Sequence, residues 1–149
     1  MTKEPTLLRL IASQILCLFM LIVPNLGHGQ NAPVVVELFS SQGCSSCQPA
    51  DEYLVELAQK RDIIALGWHV DYWDYIGWED VFAHPAFTER QKAYARALNE
   101  RMIYTPQFIV NGVESSVAGQ RAEVAALIQK YGQLAPGADL SIRRMGTSY

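Results

Sequence analysis

A chain of 149 residues is the length of one domain with room for an appendage. Half of it is apolar, at 50%, which supplies a core and excludes a disordered chain. The formal charge of −3, with Lys and Arg scattered rather than clustered, excludes nucleic acid as the expected partner.

Residues 1–30 read as a signal peptide. Lys3 and Arg9 give a basic start, Ile11 to Val23 an apolar run, and Pro24 to Gly29 a helix-breaking stretch with small residues for cleavage. The run is short for a membrane span, so the protein is expected to be exported, periplasmic or secreted, and free of the membrane after cleavage. Cys17 lies inside the run and leaves with it. Cys44 and Cys47 then remain as the cysteines of the mature domain.

Pro33 to Phe39 is β-branched and apolar, the pattern of a buried central strand. After Ser40-Ser41-Gln42-Gly43 comes Cys44-Ser45-Ser46-Cys47, followed by a helix with Ala50, Tyr53, Leu54, Leu57 and Ala58 on one stripe. Asp62 to Val70 is a second strand. Trp68 to Trp78 carries all three tryptophans without a helical or strand period and is expected to be a shaped loop. Thr88-Glu89-Arg90-Gln91 has the capping-box pattern and opens a helix with Tyr94, Ala95, Leu98 and Met102 on one face. Gln107 to Val110 is a third strand, Asn111-Gly112 a hairpin turn, and Val113 to Val117 a fourth strand. Gly119 ends it. Arg121 to Tyr131 is a last helix with Val124, Leu127, Ile128 and Tyr131 inward.

Two thiols at the start of a helix have three uses. A redox pair, a soft-metal site and a structural disulfide are all open at this point. A lone pair in an oxidising compartment favours redox work, because a four-residue loop staples little and zinc wants two further ligands. At the N-terminus of the helix, unpaired amides and the dipole stabilise the Cys44 thiolate, and the Ser45 and Ser46 hydroxyls add hydrogen bonds. Pro49, early in that helix, is expected to distort the cysteine turn or kink the helix. Glu37, an acid in an apolar strand, is expected to be part-buried with a raised pKa. With Cys44 and Cys47, His69 makes up the metal alternative, copper(I) or another soft ion. Asp51 reads as a solvated helix residue.

The order β-α-β-α-β-β-α, with Cys-x-x-Cys where strand one meets helix one, resembles the thioredoxin fold, an α/β class with a four-stranded mixed central sheet. The likeness covers about residues 34 to 131, and its most specific part is Thr105-Pro106, strand, Asn111-Gly112, strand, Gly119, helix. The runs Glu37-Leu38-Phe39, Gln42 to Cys47 and Trp68 to Tyr75 also resemble a family of bacterial secreted, thioredoxin-like proteins of unknown function. Its members run on into a β-rich C-terminal part, of which 136–149 is expected to be a remnant, the chain being truncated relative to the family. Residues 31–135 are the thioredoxin-like domain.

The resemblance implies a thiol–disulfide oxidoreductase without a cofactor, Cys44 as nucleophile and Cys47 as resolving cysteine. It implies a cis Pro106, with Thr105 offering its backbone to an extended substrate. It implies Glu37 as proton acceptor, at an offset one residue from the thioredoxin pattern. Gly43 stands where thioredoxins carry a tryptophan, so the nucleophile is expected to be more open. The partner is then a thiol or disulfide of a protein or small molecule, or a redox partner protein. A redox-inert thioredoxin-like interaction module is the remaining alternative.

Overall fold

The computed structural model describes residues 32–117 and 120–134. The signal peptide, Gly119 and the C-terminal remnant fall outside the described residues.

The elements are β1 (Val34–Ser40), α1 (Gln48–Ala58), β2 (Ile63–His69), a 3-10 turn (Asp74–Ile76), α2 (Pro85–Ala97), β3 (Gln107–Val110), β4 (Glu114–Val117) and α3 (Arg121–Gly132). One sheet runs β2-β1-β3-β4. β1 and β2 are parallel from Val34↔Ile63 to Ser40↔His69, and β1–β3 and β3–β4 are antiparallel. This is the expected four-stranded mixed sheet, with its elements in the expected order along the chain.

β1 is central and reads as one apolar run because both of its faces are covered. Val34, Val36 and Leu38 enter a core with Ala50, Tyr53 and Leu57 of α1 and Val124 and Leu127 of α3. Phe39 alternates to the opposite face, where Ile109, Val70 and the aromatic residues Trp68, Tyr72, Trp73 and Tyr94 pack. The β3–β4 turn has Asn111 at φ 51° and Gly112 at φ 72°, the pair of positive φ angles that a type I′ turn demands, and three residues separate the paired Val110 and Glu114. Asn111 also pins the turn to β1, its Oδ1 accepting from Val35 N at 2.8 Å.

Four local expectations change. Helix α1 begins at Gln48, after the cysteines, with Cys47 as its N-cap residue. Pro49 therefore sits in the first turn, where its missing N–H has no intrahelical partner to lose. Helix α2 begins at Pro85 rather than at Thr88. His84 caps it, its Nδ1 accepting from Ala86 N at 3.1 Å, while Thr88 lies inside the helix and donates to Asp71 Oδ1 at 2.5 Å. The capping-box pattern is present in the sequence, but its threonine serves the neighbouring loop. Ala58 is exposed, and so is Met102, at 69%, because α2 ends before Met102.

Candidate functional site

The site is built at the end of β1. Cys44 and Cys47 form a disulfide with Cα atoms 5.4 Å apart. A turn holds them: Cys44 N donates to Ser41 O at 3.1 Å and Cys47 N to Cys44 O at 3.1 Å. The Cys47 carbonyl then accepts from Ala50 N at 2.8 Å and Asp51 N at 3.0 Å, which starts α1. Because Cys47 is the N-cap residue, the helix terminus bears first on Cys47, and Cys44 lies one turn further out. Of the two serines, Ser46 brings its hydroxyl to 3.6 Å from Cys44 Sγ. Cys44 is 6% exposed and Cys47 1%, so both are buried and Cys44 is the more accessible of the two.

Gly43 does not leave Cys44 open. A Cβ at this position would lie 3.1 Å from both Ile76 Cδ1 and Trp73 Cβ. The aromatic segment thus occupies the space beside the dithiol turn, and glycine is what lets it approach. The same segment reaches the other side of the site, where Trp73 Nε1 donates to Thr105 Oγ1 at 2.8 Å. The Thr105–Pro106 peptide bond is cis, as the resemblance implied. Pro106 is buried one residue beyond the Phe39↔Gln107 pair, at the end of the sheet from which the cysteine loop departs.

Asp80, which no sequence signal singles out, ties these pieces together. It is 2% exposed. Its Oδ2 accepts from Gln42 N at 2.7 Å and lies 2.6 Å from His69 Nδ1, and its Oδ1 accepts from Phe82 N at 2.9 Å. Burial pushes this carboxyl up, but the Gln42, Phe82 and His69 donors outweigh it and leave its pKa below the ordinary value. The dithiol loop and the aromatic segment are thereby joined through one buried carboxylate.

Glu37 differs from its expectation. It is 2% exposed, and on the face opposite α1 it meets α2. Arg90 clamps it through Nε at 2.6 Å and Nη2 at 2.9 Å, Trp68 Nε1 donates at 2.7 Å, and the Tyr94 hydroxyl donates as well. Burial raises its pKa, but the Arg90, Tyr94 and Trp68 donors win, and the net shift is downward. Burial raises the Tyr94 hydroxyl, and the Glu37 contact adds to this, pushing it up to about 12. Glu37 is committed to holding α2 against the sheet.

Asp51 differs in the opposite sense. It is half-buried, and Ser40 Oγ donates to its Oδ2 at 3.0 Å. Burial lifts its pKa, the Ser40 and His69 contacts oppose that, and Asp80 adds to it; the net direction is up. The spacing signal was present in the sequence, since Asp51 follows Cys47 by one helical turn. The metal alternative is not assembled: His69 turns its Nδ1 to Asp80, and among the described residues no three His, Cys, Asp or Glu side chains converge as a metal site needs.

The topology and the disulfide at the β1–α1 junction define the class, a thioredoxin-like domain with a Cys-x-x-Cys disulfide. The chain belongs to the family described as "Protein of unknown function (DUF1223)", whose model matches residues 35–148. A crystal structure of an Agrobacterium tumefaciens protein is similar at 46% identity and a TM-score of 0.64, over 68% of this chain and 46% of that one. The chain thus spans just under half of that protein's length. A mutant thioredoxin from Halobacterium salinarum is similar at 24% identity and a TM-score of 0.42, over 72% of this chain and 81% of that one. No curated protein matches the chain.

Proposed function

We propose that this protein is an exported thiol–disulfide oxidoreductase acting through Cys44 and Cys47. The observation that carries the reading is the Cys44–Cys47 disulfide where β1 meets α1, with Thr105–Pro106 at the adjacent strand end. In the reducing direction the Cys44 thiolate attacks a substrate disulfide and releases one substrate thiolate, leaving Cys44 joined to the other substrate sulfur. Cys47 loses its proton and attacks the Cys44 sulfur; the second substrate thiolate leaves. Two electrons pass to the substrate, and the Cys44–Cys47 bond closes. Oxidation of a substrate dithiol runs the same steps backwards. The substrate is a protein or small-molecule disulfide, approached beside Thr105, and no organic cofactor is required.

The greater exposure of Cys44, 6% against 1%, supports its assignment as the attacking thiol. The test is dithiothreitol-dependent reduction of insulin. Activity is expected in the wild type, loss in Cys44→Ser, and trapped mixed disulfides in Cys47→Ser. Equal activity in all three would remove the reading. Export rests on Lys3, Arg9 and the Ile11 to Val23 run, and the N-terminal sequence of the protein recovered outside the cytoplasm tests it. A mature start near Gly29 is expected; protein retained in the cytoplasm with an intact N-terminus contradicts it.

A further inference from the structure

The resolving step must place a proton, because Cys47 attacks as a thiolate. Glu37, held by Arg90 on the far face of the sheet, is not positioned to take it. Asp51 is on the α1 side: its amide donates to the Cys47 carbonyl at 3.0 Å, one turn of helix from the sulfur-bearing residue. Its carboxylate is held by a neutral donor, Ser40 Oγ at 3.0 Å, and among the described residues it forms no ion pair. Ser40 is the register partner of His69 across β1 and β2, and His69 Nδ1 meets Asp80 at 2.6 Å. The His69 side chain is 25% exposed, whereas that of Asp80 is 1% exposed. An acid one helical turn from Cys47 and a histidine that reaches solvent thus converge on Ser40, the first through its hydroxyl and the second through strand register.

We infer that Asp51 accepts the Cys47 proton in the resolving step and returns it in the reverse step, with the His69–Asp80 pair exchanging it with solvent. This rests on the thiol–disulfide reading above. As the Cys47 S–H bond breaks, its proton passes to the Asp51 carboxylate and its sulfur bonds to the Cys44 sulfur. The bond from Cys44 to the substrate sulfur breaks, and the departing thiolate takes up a proton. Ser40 from β1 donates to the Asp51 carboxylate, the charges of His69 from β2 and of Asp80 beyond the aromatic segment act on it, and its amide meets the carbonyl of Cys47, the N-cap of its own helix. Burial holds this carboxyl above its ordinary range, which brings it closer to a thiol and makes it a better base for one.

The experiment is a stopped-flow reaction of the reduced full chain with one equivalent of dithiobis(nitrobenzoate), read by the absorbance of the released aryl thiolate. The first phase reports attack by Cys44 and the second displacement by Cys47. In Asp51→Asn the first phase is expected to be unchanged and the second slowed about tenfold or more at pH 7, with its pH profile moved to higher pH. Asp51→Glu is expected to restore most of the rate, and Glu52→Gln, which loses only an exposed contact with Gln48, to match the wild type. A second phase in Asp51→Asn with the wild-type rate and pH profile overturns the inference alone. A wild type that shows no second phase overturns the dithiol reading and this inference with it. If Asp51→Asn does not fold, the pH profile of the second phase in Asp51→Glu and His69→Gln carries the test. A displaced profile in each supports the inference, and the wild-type profile in both overturns it.

Discussion

Arg90 shows how one side chain sets the behaviour of another far along the chain. Its guanidinium forks onto the buried Glu37 carboxylate and lies 5.2 Å over the Trp68 ring and 5.3 Å over the Tyr94 ring. Removing it leaves a buried carboxylate without its cation, so Arg90→Ala is expected to destabilise the fold by about 3 kcal/mol, measured by urea denaturation. The lower end of the usual range applies because Arg90 is 44% exposed. The pH dependence follows from the direction of the Glu37 shift. Its folded-state pKa lies below the ordinary value of 4.5, so the contribution is full above that value and is lost as pH falls through the folded pKa. Arg90→Ala is expected to flatten this acid limb, and an unchanged limb contradicts the assignment. From sequence, the burial of Glu37 was legible because it interrupts an apolar run. The sign of its pKa shift was not, because Arg90, Tyr94 and Trp68 lie 53, 57 and 31 residues away. The surroundings of Asp51 were hidden for the same reason. A solvated helix acid and one facing Ser40 have the same local sequence, and only sheet register brings His69 near.

Among the elements, the aromatic segment matters most to the site. It closes over Gly43, binds Thr105 through Trp73, and is tied to the dithiol loop by Asp80. Its lack of helical or strand period was visible in sequence, but its partners were not. The Gly43 position tests whether it shields the disulfide. In Gly43→Ala the new methyl meets Trp73 Cβ at 3.1 Å, an atom that moves only with its backbone, and Ile76 Cδ1 at 3.1 Å, which yields more easily. The variant is expected to lose about 1–2 kcal/mol by thermal or urea denaturation, and its disulfide to be reduced faster by dithiothreitol as the segment is displaced. Unchanged stability together with an unchanged reduction rate would contradict the shielding role. The helix boundaries illustrate the complementary case. α3 was legible from its period, whereas the start of α2 was not. Pro85 and a histidine cap outweighed the Thr88 pattern, and Thr88 was drawn to Asp71.

Across the whole domain, the order of elements and the sheet arrangement followed from local signals: β-branched runs, one Asn-Gly turn and helical stripes that agree with one another. β1 separates two layers, an α1–α3 core that carries the dithiol helix and an α2 layer anchored by Glu37 and Arg90. The cysteines stand at the sheet end between them, where β1 hands the chain to α1 and where Pro106 leads into β3. This arrangement serves electron exchange only if the Cys44–Cys47 bond opens and closes reversibly. The most direct test is the reduction potential of that pair, from thiol titration of the purified protein equilibrated in dithiothreitol and glutathione redox buffers. We predict a reversible two-electron couple between about −270 and −120 mV. A pair that forms no disulfide at any poise, or one that stays closed below about −300 mV as structural disulfides do, would contradict it.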